Sequence, residues 1–120
     1  MLKNDLHVHS IGSGHAYSTI SEIFRFASKN TMDLVAIADH GPDMEGAPHL
    51  GYFENMLRLP KTIDGVTFLK SCEANILNEN GDIDIPLDLQ NKLDFVMAGL
   101  HARTDYAGRD TKENTQAVIN

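Results

Sequence analysis

Leu34-Val35-Ala36-Ile37-Ala38, followed at once by Asp39-His40-Gly41-Pro42, is an apolar run of strand length that stops abruptly in polar and turn-forming residues. An unbroken apolar strand without polar alternation is what a parallel sheet requires when both its faces are covered. Upstream, Asn4 to Val8 reads as a short strand that enters a loop rich in Gly and Ser, from Ser10 to Gly14. Between the two strands, Thr19-Ile20-Ser21-Glu22 has the form of a capping box. Ile20, Ile23, Phe24 and Ala27 then make one apolar helical stripe, ending near Asn30.

The alternation continues downstream. Gly51 to Leu59 reads as a short helix stopped at Pro60, and Val66 to Leu69 as a strand carried on towards Glu73. Asn78 to Gly81 is a polar turn flanked by Ile76, Ile83 and Ile85, which predicts a hairpin excursion. Leu87 to Leu93 has room for one or two helical turns, and Phe95 to Gly99 is a further buried strand leading to His101. Asp110-Thr111-Lys112-Glu113 looks like another helix start, with Ala117, Val118 and Ile119 opening its apolar side. Strands alternating with helices predict an α/β fold with a parallel sheet. About four strands are too few to close a barrel, so the expectation is a partial one belonging to a longer protein.

Composition narrows the function classes. The chain has 120 residues, 42% of them apolar and 22% charged, as in ordinary globular domains. Its apolar stretches are too short for a membrane span. Lys3, Asn4 and Asp5 interrupt any leader-like start, so a cytoplasmic location is expected. One cysteine, Cys72, excludes an intrachain disulfide framework; beside Glu73 on an apolar strand it reads as packing. A net charge of −7 argues against general nucleic-acid binding. Six histidines in so short a chain is the unusual feature.

Their placement gives them meaning. In His7-Val8-His9 the two imidazoles lie two apart on a strand and share a face, so both can reach one ion. His15 follows in the next loop, Asp39-His40 ends the second strand, Glu73 the third and His101 the fourth. One such histidine would be unremarkable, but all lie at carboxyl ends of strands, where α/β folds build their sites. Imidazole and carboxylate without thiolate suit zinc, manganese or iron in a catalytic site. Asp39 has two readings, an acceptor that orients a histidine or a cap and turn residue. Arg103 and Arg109 could contact a substrate phosphate, or be solvated loop charges. His49 and Tyr17 are candidates for the pocket mouth or ordinary surface residues.

Taken together, His7-Val8-His9-Ser10, His15, Asp39-His40-Gly41-Pro42, Glu73-Ala74-Asn75 and Gly99-Leu100-His101 resemble the PHP (polymerase and histidinol phosphatase) superfamily. His15-Ala16-Tyr17-Ser18-Thr19, and Asp39 to Glu45 followed by Ala47-Pro48-His49, are similar to its YcdX-like phosphatase branch. The resemblance covers essentially the whole chain and implies a distorted (β/α)₇ TIM-like barrel, of which residues 1–120 would be the N-terminal portion of a single PHP domain. It implies three divalent ions, held here by His7, His9 and Glu73, by Glu73 and His101, and by His15 with His40. The family pattern also has a later histidine, usually before a proline, and an Asp-x-His pair near the domain's end, and these ligands are not among residues 1–120.

The leading expectation is therefore hydrolysis of a small phosphomonoester by metal-activated hydroxide, with Glu73 bridging two ions and Asp39 in support. An amidohydrolase-type metal hydrolase also begins with His-x-His, but matches less well at His15 and Asp39-His40. A metal-stabilised regulatory module without turnover is the reading from another class. Unpaired strand edges and apolar surface would favour self-association of this chain.

Overall fold

A computed structural model describes residues 3–104, 106 and 110–120. Its strands are β1 (Asn4–Val8), β2 (Leu34–Ile37), β3 (Thr62–Ile63), β4 (Val66–Asn75) and β5 (Phe95–Gly99). Its helices are α1 (Ile20–Lys29), α2 (Leu50–Met56), α3 (Leu87–Gln90) and α4 (Thr111–Ile119), with a 3-10 turn at Ile11–Ser13. β1, β2, β4 and β5 run parallel, each hydrogen-bonded to the next in chain order. This is the α/β architecture expected, and the curled parallel sheet is part of a TIM-like barrel wall.

Both faces of β2 are covered, and Val35, Ala36, Ile37 and Ala38 are fully buried, as the unbroken apolar run requires. On one face α1 docks through Phe24 and Ala27, and Phe24 packs on Phe68 of β4 with ring centroids 4.8 Å apart. The capping box starts α1 as expected: Glu22 N donates to Thr19 Oγ1 at 3.3 Å and Thr19 N to Glu22 Oε2 at 2.8 Å. The backbone bond from Thr19 holds the Glu22 carboxyl below its usual range. α2 starts at Leu50, because His49 Nδ1 accepts from Gly51 N at 3.2 Å and caps the helix there.

The sequence reading missed β3. Asp64 and Gly65 both have positive φ, 50° and 82°, and form the two-residue turn that folds β3 back onto the start of β4. An Asp-Gly pair is the strongest short-range hairpin signal, and it was present. β4 is also longer than the expected strand: its first half pairs with β2 and β3, its second half with β5. The hairpin excursion around Asn78 is present, closed by an antiparallel bridge between Ile76 and Ile83.

Candidate metal centre

Strand register brings the histidines to Glu73. His40, just past β2, forms a parallel bridge with Glu73, through Gly41 N to Glu73 O at 2.9 Å and Glu73 N to Asp39 O at 3.0 Å. Neighbouring Cβ atoms then set the two side chains next to each other. From β1 and the residue just past it, His7 Nε2 and His9 Nε2 reach Glu73 Oε2 at 3.1 and 3.2 Å, and lie 3.1 Å from each other. His40 Nδ1 lies 3.3 Å from the same oxygen, while His101 Nε2 approaches Oε1 at 3.2 Å. His15 completes the group, its ring centroid 4.9 Å from those of both His9 and His40.

These separations can be tested against a metal. Donors about 2.1 Å from one ion are about 3.0 Å apart in an octahedron and about 3.4 Å in a tetrahedron. The observed spacings of 3.1 to 3.3 Å fall inside that interval. His40 Nδ1 is buried and, although near Glu73, lacks the alignment of a hydrogen bond. A buried nitrogen facing a carboxylate oxygen without a shared proton is where a cation fits. Three sets of ligand atoms lie close enough to hold one each: His7, His9 and Glu73; His40, Glu73 and His101; and His9, His15 and His40. His40 thus stands near Glu73 and His101 as well as near His15.

Burial keeps His9 and His40 neutral, the form that binds metal. It pushes His40 down to about 4 and lowers His9 below the ordinary histidine value. For Glu73, burial alone would raise the carboxyl, but hydrogen bonds with His7 and His101 prevail and hold it low. All three shifts favour lone pairs over protons at neutral pH.

A match to the PHP domain family covers residues 5–118. The chain belongs to the PHP domain family. Its sequence is 47% identical over 116 residues to a probable phosphatase of Clostridium acetobutylicum, covering 97% of this chain and 47% of that protein. It is likewise 47% identical over 116 residues to a probable phosphatase of Caldanaerobacter subterraneus subsp. tengcongensis, covering 97% of this chain and 46% of the relative. A third probable phosphatase, from Thermoanaerobacter sp. strain X514, is 48% identical over 116 residues, covering 97% of this chain and 47% of its own length. The chain spans about half the length of the curated relatives it matches.

Within this PHP domain, Asp39 is an acceptor that reaches His9 only through the Ser13 hydroxyl, which lies 2.7 Å from Asp39 Oδ1 and 2.9 Å from His9 Nδ1. It is fully buried, touches no imidazole and caps no helix. Ser10 N and Ser13 Oγ donate to its Oδ1 at 2.6 and 2.7 Å, while Ser10 Oγ, at 2.6 Å, and the Tyr52 hydroxyl donate to Oδ2. Four donors occupy the roughly four acceptor sites of a carboxylate, so no lone pair is left for substrate or metal. Burial and the bond to Asp39 raise the Tyr52 phenol far above its usual value, keeping its proton in place. Ser10, Ser13 and Tyr52 were not foreseen as part of the site. Hydroxyls in a loop and in a helix carry no pattern that marks them.

The outer candidates settle differently. Arg103 makes an exposed ion pair with Glu45 at 3.8 Å, as a solvated loop charge would. Arg109 lies outside the described residues. His49 is a helix cap, and Tyr17 is 92% exposed. Cys72 is buried, which pushes its thiol well up and leaves it a packing residue.

Two predictions arise here. Gly14 has φ +74, and a Cβ there would sit 2.4 Å from the Gly46 carbonyl oxygen. Gly14→Ala therefore combines a left-handed backbone penalty of about 1–2 kcal/mol with a collision against a second loop. A lower urea midpoint together with weaker metal binding through the displaced His15 is expected; unchanged values in both would refute the packing argument. The second concerns pH. An unfolded histidine takes its proton near 6.5, whereas folded His40 resists until about 4. Stability of the metal-free domain should be full above pH 6.5 and fall as pH drops towards 4, because the unfolded state then binds more protons. The lowered Glu73 carboxyl acts in the same direction. Urea unfolding in chelator across this range checks it, and a flat profile would contradict it.

Proposed function

We propose that the protein to which this chain belongs is a metal-dependent phosphoesterase acting on a small phosphomonoester. The observation that carries this reading is the convergence of His7, His9, His40 and His101 on the two oxygens of Glu73, with His15 alongside. His7 and His9 with Glu73 would hold one ion, His101 and His40 with Glu73 a second, and His15 with His40 and His9 a third. Zinc, manganese and iron all suit this donor set. Bound divalent ions supply activated water near neutral pH and neutralise the phosphoryl oxygens. The chain's own residues keep His9 and His40 deprotonated by burial, would set Glu73 between two ion sites, and tie the loop from Ser10 to Ser13 to Asp39.

The probable-phosphatase relatives support phosphate esters as the substrate class. Offering the full-length protein a phenyl phosphate ester and a matching anilide, before and after chelation, tests the reading. Release of phosphate that stops on chelation and returns with zinc or manganese is expected. Cleavage of the anilide alone would favour an amidohydrolase, and neither activity would favour a binding module.

Self-association of this chain is part of the same proposal. Phe26, 66% exposed, borders an apolar groove with Val8, Ile23 and Met32, and Leu6 on β1 is half-exposed. Among the described residues, no helix is long and apolar enough to cross a membrane. Sedimentation of these 120 residues should show dimers or larger species, and a stable monomer would overturn this.

A further inference from the structure

The series Asp39, Ser13, His9, buried at its first two members, has a direction that follows from proton counting. Asp39 is a carboxylate and can only accept. The Ser13 hydroxyl has a single proton, and it lies 2.7 Å from Asp39 Oδ1, so that proton points at Asp39. Were it turned towards His9, two acceptors would face each other at that distance. Ser13 Oγ also lies 2.9 Å from His9 Nδ1 and receives the backbone N–H of His40 at 3.1 Å. Having given its proton away, Ser13 can meet Nδ1 only as an acceptor. A neutral His9 therefore carries its proton on Nδ1.

The neighbouring histidine is fixed by the same residue in another way. His15 Nδ1 lies 3.2 Å from the Ser13 carbonyl oxygen, which cannot donate. Its proton is on Nδ1 too.

We propose that Ser13 is the positioning residue of the cluster, holding His9 and His15 in the Nδ1–H tautomer so that both Nε2 lone pairs are left for a cation. For His9 the authority comes from Asp39 through the Ser13 hydroxyl, and for His15 from the Ser13 backbone. A flipped His9 would instead aim an Nε2–H at Glu73 Oε2, 3.2 Å away, and close the site with an internal hydrogen bond. The value of this arrangement rests on the metal-centre reading, whereas the tautomers stand on hydrogen bonds alone.

Long-range ¹H–¹⁵N spectra of the imidazoles in the metal-free, full-length protein, above the histidine titration range, read the tautomers directly. His9 and His15 should both show a protonated Nδ1 and a bare Nε2. Ser13→Ala should release His9 to the mixed or Nε2–H form while leaving His15 unchanged, because only the side chain is lost. Zinc affinity by competition titration should fall 10- to 100-fold, the usual cost of losing such a partner. Tyr52→Phe removes a different donor from Asp39 and should leave the His9 tautomer as it was.

Native His9 in the Nε2–H form overturns the proposal, even if Ser13→Ala fails to fold. So does an equal loss of tautomer in Tyr52→Phe, which would make the effect one of general loosening. Correct tautomers in a protein without phosphatase activity would instead sink the functional reading alone.

Discussion

Glu73→Gln in the full-length protein is expected to abolish metal-dependent phosphatase activity, lowering kcat/KM on the order of 10³-fold, which is about 4 kcal/mol of transition-state stabilisation. The amide keeps the volume of the side chain and its place in β4. It removes the negative charge towards which four imidazole nitrogens are drawn at 3.1 to 3.3 Å. It also puts an NH₂ donor where a lone pair stood, facing either His101 or the group at Oε2. Calorimetric metal titration should show the loss directly, since two of the three ligand sets include this carboxylate. A variant that retained both native metal content and native turnover would show that the centre is assembled elsewhere.

Asp39→Ala is expected to cost stability rather than chemistry alone, by about 4 kcal/mol. The substitution strands the Ser10 N–H and three hydroxyls, and an unsatisfied buried donor costs about 1–3 kcal/mol. Some recovery follows because hydroxyls rotate towards one another. Against a typical total of about 5–15 kcal/mol, the remainder is a large fraction. Asp39→Asn should lose clearly less. Its oxygen can stay with Ser10 N and Ser13, while its amide faces Ser10 Oγ and Tyr52, both able to accept. Urea unfolding of the three proteins ranks them, and an asparagine variant as weak as the alanine one would contradict the assignment of donors.

The fold was legible where apolar patterning was continuous. Leu34 to Ala38 announced a doubly covered strand, and Thr19 with Glu22 fixed the start of α1 within a residue. The strand-end positions of the histidines and Glu73 were legible for the same reason, because strand limits were. What could not be read was which ligands become neighbours. His40 meets Glu73 through the register between β2 and β4, a pairing of residues 33 positions apart that no local pattern encodes. Asp39 was noticed, but its partners are two loop serines and a helix tyrosine whose hydroxyls look ordinary in sequence. Arg103 reads in sequence equally as a phosphate contact or a solvated loop charge, and only the fold shows its exposed pairing with Glu45.

The double sharing of β4 bears on how this molecule breathes. Its ten residues are flanked on one side by β2 and on the other by β3 and then β5, so its amides sit inside ladders along most of their length. Amide hydrogen exchange there should be slowest, reporting the global opening of the domain rather than local fraying. Glu73 rides on that strand. The carboxylate that four imidazoles face is thus anchored where the backbone should open least.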